Sequence, residues 1–442
     1  MGATLLSGTA LAMIFLVGAP AFAGEIDVLK EQLQALQKKV EQIESNQTTK
    51  MPTKGRPKVQ LEVSGQVNRA LLYADNGDHE QLFNVDNDNS SSRVRWVARA
   101  RLNDDLSVGA AIEVQIESNS TAKVSMGQNS AVAPDGGGFS ERKIEFWIDS
   151  KRMGRVWVGQ GDTASNGTSE VDLSGTSIVA YSGIADLAGG ICFAVSGGGG
   201  PCDGPVIGDL WSNLDGLSRN DRIRYDTPTI AGFKLSASYV EADTWDVALR
   251  YGANYEAIGT KVSAAIAFAN PGGAKDSSDS DHQLNGSISV LHSSGLSVTY
   301  AMGKRGVGEG DDDRSFWYIK GGWQMDVPSP NLGRFAISFD YGVANPDDDI
   351  TEVCDSPAFF KSKGFLVDPC EATKENNFGT LVASDDSVFD DDEITTWGVA
   401  VTQKVAKLGA EFYFAYRNHD FDRPGSDFND INTAMLGARI KF

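Results

Sequence analysis

From Lys58 to the last residue, apolar and polar side chains alternate at period two in one run after another, and this pattern limits the fold more than any other feature of the chain. The final run, Ile431 to Phe442, sets Ala434, Leu436, Ala438, Ile440 and Phe442 on one face, with Arg439 and Lys441 opposite. Val94, Trp96, Ala98, Ala100 and Leu102 likewise share a face against Arg93, Arg95, Arg99 and Arg101. Trp317, Ile319, Trp323 and Met325 stand against Lys320 and Gln324, and Phe335, Ile337, Phe339 and Tyr341 against Arg334, Ser338 and Asp340. Leu408, Phe412, Phe414 and Tyr416 stand against Glu411, Tyr413 and Arg417. A packed soluble core is not lined with so many arginines and carboxylates, because a buried charge must be paired or solvated. The oily faces need an apolar medium, the charged faces need water, and no run of inward apolar faces supplies an ordinary core. Closing the last strand on the first leaves no unpaired edge. The expectation is an all-β, antiparallel transmembrane β-barrel.

The alternating runs fall at 58–73, 91–102, 106–118, 140–149, 154–160, 219–227, 232–240, 244–256, 258–270, 281–292, 295–304, 313–326, 333–343, 393–404, 407–418 and 429–442, which makes sixteen strands. Short connections such as Asn103-Asp104-Asp105, Lys151–Met153 and Ser293-Ser294 alternate with longer acidic or glycine-rich ones, the pattern of periplasmic turns and external loops. The connection at Glu241–Asp243, external by this count, is unusually short.

Ahead of the barrel stands a different composition. Leu11–Phe22 is apolar and runs into Ala21-Phe22-Ala23, a small-x-small cleavage pattern, so residues 1–23 are expected to be a secretory signal, although no Lys or Arg precedes Lys30. Within residues 24–47, Ile26, Leu29, Leu33, Leu36, Val40 and Ile43 repeat three and four apart, the a/d seam of a short coiled coil. So few heptads are marginal alone, and the bland alternative is one amphipathic helix lying on the barrel. Residues 48–57 read as a polar linker.

The net charge is −21, none of it in residues 1–23, which excludes a nucleic-acid partner. The four cysteines sit as two local pairs, Cys192 with Cys202 and Cys354 with Cys370, without the spacing of a metal site. In an exported protein two local disulfides are expected, with free thiols as the alternative.

LEVSGQVNRALLY (Leu61–Tyr73), GRVWVGQGDT (Gly154–Thr163), RNDRIRYDTPTIAGFKLSASY (Arg219–Tyr239) and the terminal LGARIKF together resemble the bacterial general porins. The resemblance spans Lys58–Phe442 and implies a sixteen-stranded, homotrimeric outer-membrane channel for passive diffusion of ions and small hydrophilic solutes, in contact with lipid and lipopolysaccharide. It also implies that the loop after the fifth strand, Gly161–Ser218, folds inward and narrows the pore. Gln160 departs from the family, which often carries a basic residue there, and the amino-terminal coiled coil is more like that of phosphate-selective porins, so an anion- or phosphate-selective channel is the alternative.

The strongest candidate site is the row Arg93, Arg95, Arg99 and Arg101, whose members at alternate positions stand roughly 7 Å apart along one wall. Such a ladder can pass anions along by charge, or its arginines can be taken up by Glu113, Glu117 and Glu145 on neighbouring inward faces. Arg222 and Arg224 are further inward cations, and Glu170, Asp172 and Asp186 in the inserted loop are expected to face the ladder across the constriction. The runs Asp311–Asp313, Asp347–Asp349 and Asp390–Asp392 read as solvated loop charge or, more sharply, as carboxylates for divalent-cation bridging within the external loops or to lipopolysaccharide. Asp86-x-Asp88-x-Ser90 lacks the glycine and closing glutamate of a calcium loop. An outer-membrane hydrolase is disfavoured, because His79, His282, His292 and His419 offer no base oriented by a third group. A loop-bound receptor or envelope-attachment protein is the rival from another class, but no envelope-binding repeat is present.

Overall fold

A computed structural model describes residues 49–52, 59–128, 138–198, 200–241, 243–272, 282–306, 314–329, 331–346 and 392–442. The expected signal segment, the seam from Ile26 to Ile43, the pair Cys354 and Cys370, and the acidic runs except Asp392 lie outside the described residues. Thr49–Pro52, in the expected linker, is a four-residue strand.

The alternating runs become the strands of a closed antiparallel barrel. They are β1 Val59–Asp75, β2 Arg93–Arg101, β3 Leu106–Glu117, β4 Gly138–Ser150, β5 Gly154–Asp162, β6 Arg219–Asp226, β7 Phe233–Tyr239, β8 Trp245–Tyr255, β9 Thr260–Asn270, β10 Gln283–His292, β11 Leu296–Arg305, β12 Ser315–Asp326, β13 Arg334–Asn345, β14 Glu393–Val405, β15 Ala410–Asp422 and β16 Ile431–Lys441. Each pairs with its sequence neighbours, and β16 closes on β1 in a register that sets Leu71 opposite Leu436. The terminal residue takes part in the closure. Gly65 N donates to Phe442 O at 2.8 Å and Phe442 N to Gly65 O at 3.0 Å.

The outward faces are those the alternation identifies, with Trp96, Trp317, Ile319, Trp323, Phe339, Phe412, Leu436, Ile440 and Phe442 all exposed, as a lipid-facing wall requires. Short turns and longer loops alternate, and the connection from Tyr239 to Trp245 is as short as expected, with Val240 N donating to Thr244 O at 3.0 Å. Local chemistry sets the turns: the Asn103 side chain accepts from Asp105 N at 2.9 Å and Leu106 N at 2.8 Å, an Asx turn that reverses the chain between β2 and β3.

Two features depart from the alternation. Glu80–Asp86 is an additional strand that folds back on β1, placed by Asp86, whose Oδ2 accepts from Ser118 N at 2.7 Å and Asn119 N at 2.9 Å while Arg69 pairs with it at 2.6 Å. The interior is also not polar throughout. Leu72, Phe316, Tyr318, Ile394, Tyr413, Ile431 and Met435 point inward and are buried. They meet Ile178, Val179, Ile184, Leu187, Ile191, Phe193, Ile207, Leu210 and Trp211 of the inserted loop in one apolar core. Each large side chain fully buried there contributes about 1.5–3 kcal/mol. The absence of inward apolar faces expected from the sequence is therefore corrected: they exist where the loop covers them.

Candidate functional site

The segment between β5 and β6 enters the barrel and is held at its root by inward polar groups. Arg222, buried, donates to Asp162 O at 3.0 Å and Gly159 O at 2.8 Å and pairs with Glu145 at 2.5 Å. Arg224 donates to Thr163 O at 2.8 Å and to Asp226 Oδ1 at 2.8 Å. Asp246 on β8 accepts from Ala164 N at 3.2 Å and Ser165 N at 2.8 Å. Arg222 and Arg224, expected as pore-lining cations, are thus the fasteners of the loop root.

Further along, a row of small hydroxyl side chains receives the loop backbone. Ser287 and Ser289 on β10 accept from Val171 N and Leu173 N, both at 2.9 Å. Gln324 Nε2 donates to Leu173 O at 2.8 Å, and Thr402 Oγ1 to Gly175 O at 3.0 Å. Short hydroxyls let a backbone approach the wall while its N–H and C=O groups stay satisfied. The sequence signal is Gln283, Asn285, Ser287 and Ser289 alternating with Leu284, Ile288 and Val290, a face polar but almost uncharged. Lys320, fully buried on β12, donates to Asp172 Oδ2 at 2.7 Å and Ala180 O at 2.6 Å. Asp172 therefore spends its charge on this wall and does not face the arginine ladder.

Two short helices, α1 Ala185–Ala188 and α2 Ile207–Leu210, carry the inner part of the loop. Cys192 and Cys202 form the expected disulfide. Beside it Ala194–Val195 pairs with Phe428–Asn429 of the last external loop, and Phe193 packs against Phe421 and Phe428 with centroids 5.4 and 6.4 Å away.

The loop docks on β8–β16 and on β1, which leaves the cationic wall of β2–β5 facing the lumen. The four ladder arginines point inward and stay partly or largely exposed. They are not all free. Buried Glu113 receives Arg95, Arg142 at 2.8 Å and Arg93 at 3.8 Å, and Arg99 pairs with Glu62 at 2.6 Å. Arg93 and Arg95 are thus taken up by Glu113, as the pairing alternative expects, with one carboxylate shared among three guanidinium groups. Glu145 instead pairs with Arg222.

Arg142, Lys143 and Arg219 belong to the same wall and were not among the expected site residues. Arg142 is the extra residue at a bulge in β4, where pairing passes from Glu113–Lys143 to Val114–Glu141. Both Arg142 and Lys143 therefore point inward, which strict alternation forbids. Lys143 pairs with Asp162, and Arg219 with Asp162 at 3.1 Å.

On the loop side, Glu170, Asp186 and Asp215 form a half-buried acidic group. Asn213 donates to Glu170 Oε1 at 3.1 Å, Ser169 N to Asp215 Oδ1 at 3.0 Å, and Tyr181 to Asp186. Burial raises all three carboxyls, Asp186 to about 7, with Asp88 and Asp215 adding to the rise at Asp186 while Arg142 opposes it. Glu170 and Asp186 thus lie within electrostatic reach of Arg219 and Arg142, so the arrangement sets acidic loop against basic wall.

A family model described as Gram-negative porin matches residues 9–439. The chain belongs to that family. Among solved structures, the trimer form of OmpT, an outer membrane protein of Vibrio cholerae, is similar over 87% of this porin and 100% of its own length, at 14% identity and a TM-score of 0.50. The anion-selective porin from Comamonas acidovorans is similar over 87% of this chain and 100% of its own, at 12% identity and a TM-score of 0.50. At such identities the likeness concerns the fold. No curated protein matches in sequence. This porin is a sixteen-stranded channel of the outer membrane that admits small hydrophilic solutes by passive diffusion.

Proposed function

We propose that this porin is a homotrimer whose open lumen favours anions, without catalytic activity. The observation that carries the selectivity is the sharing of Glu113 by Arg93, Arg95 and Arg142, which leaves the wall opposite the loop with a positive surplus. Charges at a low-dielectric constriction count for more than distant ones. The net charge of −21 points the other way, yet acidic runs in long loops are screened beyond a Debye length of about 8–10 Å. The trimer is supported by family membership and by the trimer form of the Vibrio neighbour. The residue 24–47 seam is assigned to a periplasmic coiled coil that reinforces it, and divalent-cation bridging is assigned to the acidic external loops.

The test is the reversal potential of the reconstituted channel under a salt gradient. Wild type is expected to lean toward anions, and Arg95→Gln with Arg142→Gln to shift the potential toward cations. Neutralising Asp347, Asp348 and Asp349 should move it much less. The opposite ranking would show that the outer loops control selectivity and would overturn the reading.

A further inference from the structure

We propose that the short-turn end of the lumen contains a binding subsite for small planar organic anions, an aromatic ring carrying a carboxylate. The proposal deepens the diffusion-channel reading and rests on it. A cavity of about 680 Å³ opens there, walled by β2–β5 and their turns. That is the size of an ordinary small-molecule cleft.

Two tryptophans make this stretch of wall unlike the rest. Trp147 on β4 and Trp157 on β5 are register partners, and both project into the barrel, with ring centroids 5.0 Å apart and planes at 46°. With Val97 and Ala111 they form an inward apolar cluster separate from the core beneath the inserted loop. Tryptophans on the outside of a barrel are explained by the membrane interface. That account does not reach a pair on the lumen side. The wall is shaped around them: a Cβ on Gly109 would collide with the Trp147 ring, so only glycine lets that ring lie on β3. Trp157 Nε1 donates to Asp226 Oδ2 at 3.0 Å, which fixes its plane while leaving the ring partly open to the cavity.

The charges around the pair favour an anion. The Arg155 guanidinium stands 4.9 Å from the Trp157 ring centroid, giving a cationic plane beside an aromatic one. Arg101 and Lys151 line the same cavity, are exposed, and make no ion pair among the described residues. Most of the lining carboxylates are already engaged. Asp149 accepts from Arg155 at 2.9 Å, Asp105 from Ser150 at 3.0 Å and Arg152 at 3.4 Å, and Glu145 from Arg222 at 2.5 Å. Asp104 remains against Arg101 and Lys151. An inorganic anion would use the two cations and ignore the rings. A neutral aromatic would use the rings and leave the cations solvated. A ring with a carboxylate engages both.

The probe is 2-naphthoate, added from the short-turn side to channels in planar bilayers carrying KCl current, with acetate and neutral 2-naphthol in parallel. In wild type, 2-naphthoate should lower the current saturably, and the other two should not. Trp157→Leu, and separately Arg101→Gln with Lys151→Gln, should raise the half-blocking concentration roughly tenfold, as expected when one aromatic or exposed-charge interaction with the probe is removed. Trp157→Phe, which keeps a ring, should retain most of the block. KCl conductance reports that each variant has assembled, and the two rim substitutions disturb no packed side chain. Equal block by 2-naphthol, unchanged block in both the Leu and the double Gln variants, or no block in a conducting wild type would overturn the subsite. A wild-type protein that carries no KCl current would overturn the channel reading itself and the subsite with it, a failure distinct from a conducting pore that ignores the probe.

Discussion

Glu113 is the residue on which the charged wall turns. Its carboxylate is 1% exposed and holds Arg142, at 16%, together with Arg95, at 43%. Glu113→Gln removes the one charge that keeps these guanidinium groups together. A fully buried pair would lose about 3–5 kcal/mol, but the exposure of Arg95 lets water compensate, and the expected loss is about 1–3 kcal/mol. Heat-modified gel mobility should show unfolding at a lower temperature, and the reversal potential should move toward anions. No shift would mean that Glu113 only neutralises arginines that solutes never meet. Asp186 gives a second prediction at this scale. Its carboxyl is raised from 3.8 to about 7 by burial first, then by Asp88 and Asp215, against the opposing Arg142. An unfolded chain releases that proton near 3.8, so the docked loop is most favoured below that pH and loses stability as pH rises through about 7. The same ionisation adds negative charge to the constriction. The channel should be less anion-favouring at pH 8 than at pH 5, and Asp186→Asn should flatten the difference. An equal pH response in that variant would place the titrating group elsewhere.

At the scale of elements, the inserted loop behaves as a separately docked piece, and one of its ties to the wall is the deeply buried ion pair of Lys320 with Asp172. Both side chains are almost wholly buried, at 0% and 3%. Lys320→Met should strand the Asp172 charge and cost about 3–5 kcal/mol, whereas adding Asp172→Leu should recover most of it, because replacing both partners removes the buried charge. Current noise from loop motion and protease cleavage within residues 163–218 would follow the same order, and a double variant as noisy as the single one would exclude this account. The docking was only partly legible in the sequence. The strands and their outward faces could be read because lipid permits nothing but apolar side chains there. The inward faces carry no such uniform rule. Leu72, Tyr318 and Met435 face inward but are covered, and nothing local to β1, β12 or β16 distinguishes a covered patch from a wet one. Arg142 was hidden for a different reason: a single bulged residue breaks the parity on which the reading depends. Asp172 was misplaced because its partner lies on a strand far along the chain, beyond the reach of any local pattern.

For the whole molecule, the expectation is three chains. Native mass measurement of detergent-extracted protein should give a trimer, and a persistent monomer at high concentration would count against it. The barrel seam closes between β16 and β1, with Phe442 itself bonded to Gly65, so the terminal aromatic is a structural member of the wall. The small ladder between Ala194–Val195 and Phe428–Asn429 joins the loop to the hairpin that precedes this seam. It follows that the chain has an order in which it can be finished. The middle of the sequence cannot complete its fastening until the last hairpin exists, and such a distant pairing is slow to form because the chain between must first be brought to order. The fastening of the loop is therefore completed last: its ties to β8, β10, β12 and β14 need only the strands that carry them, but the ladder at Ala194–Val195 waits for the carboxy-terminal hairpin.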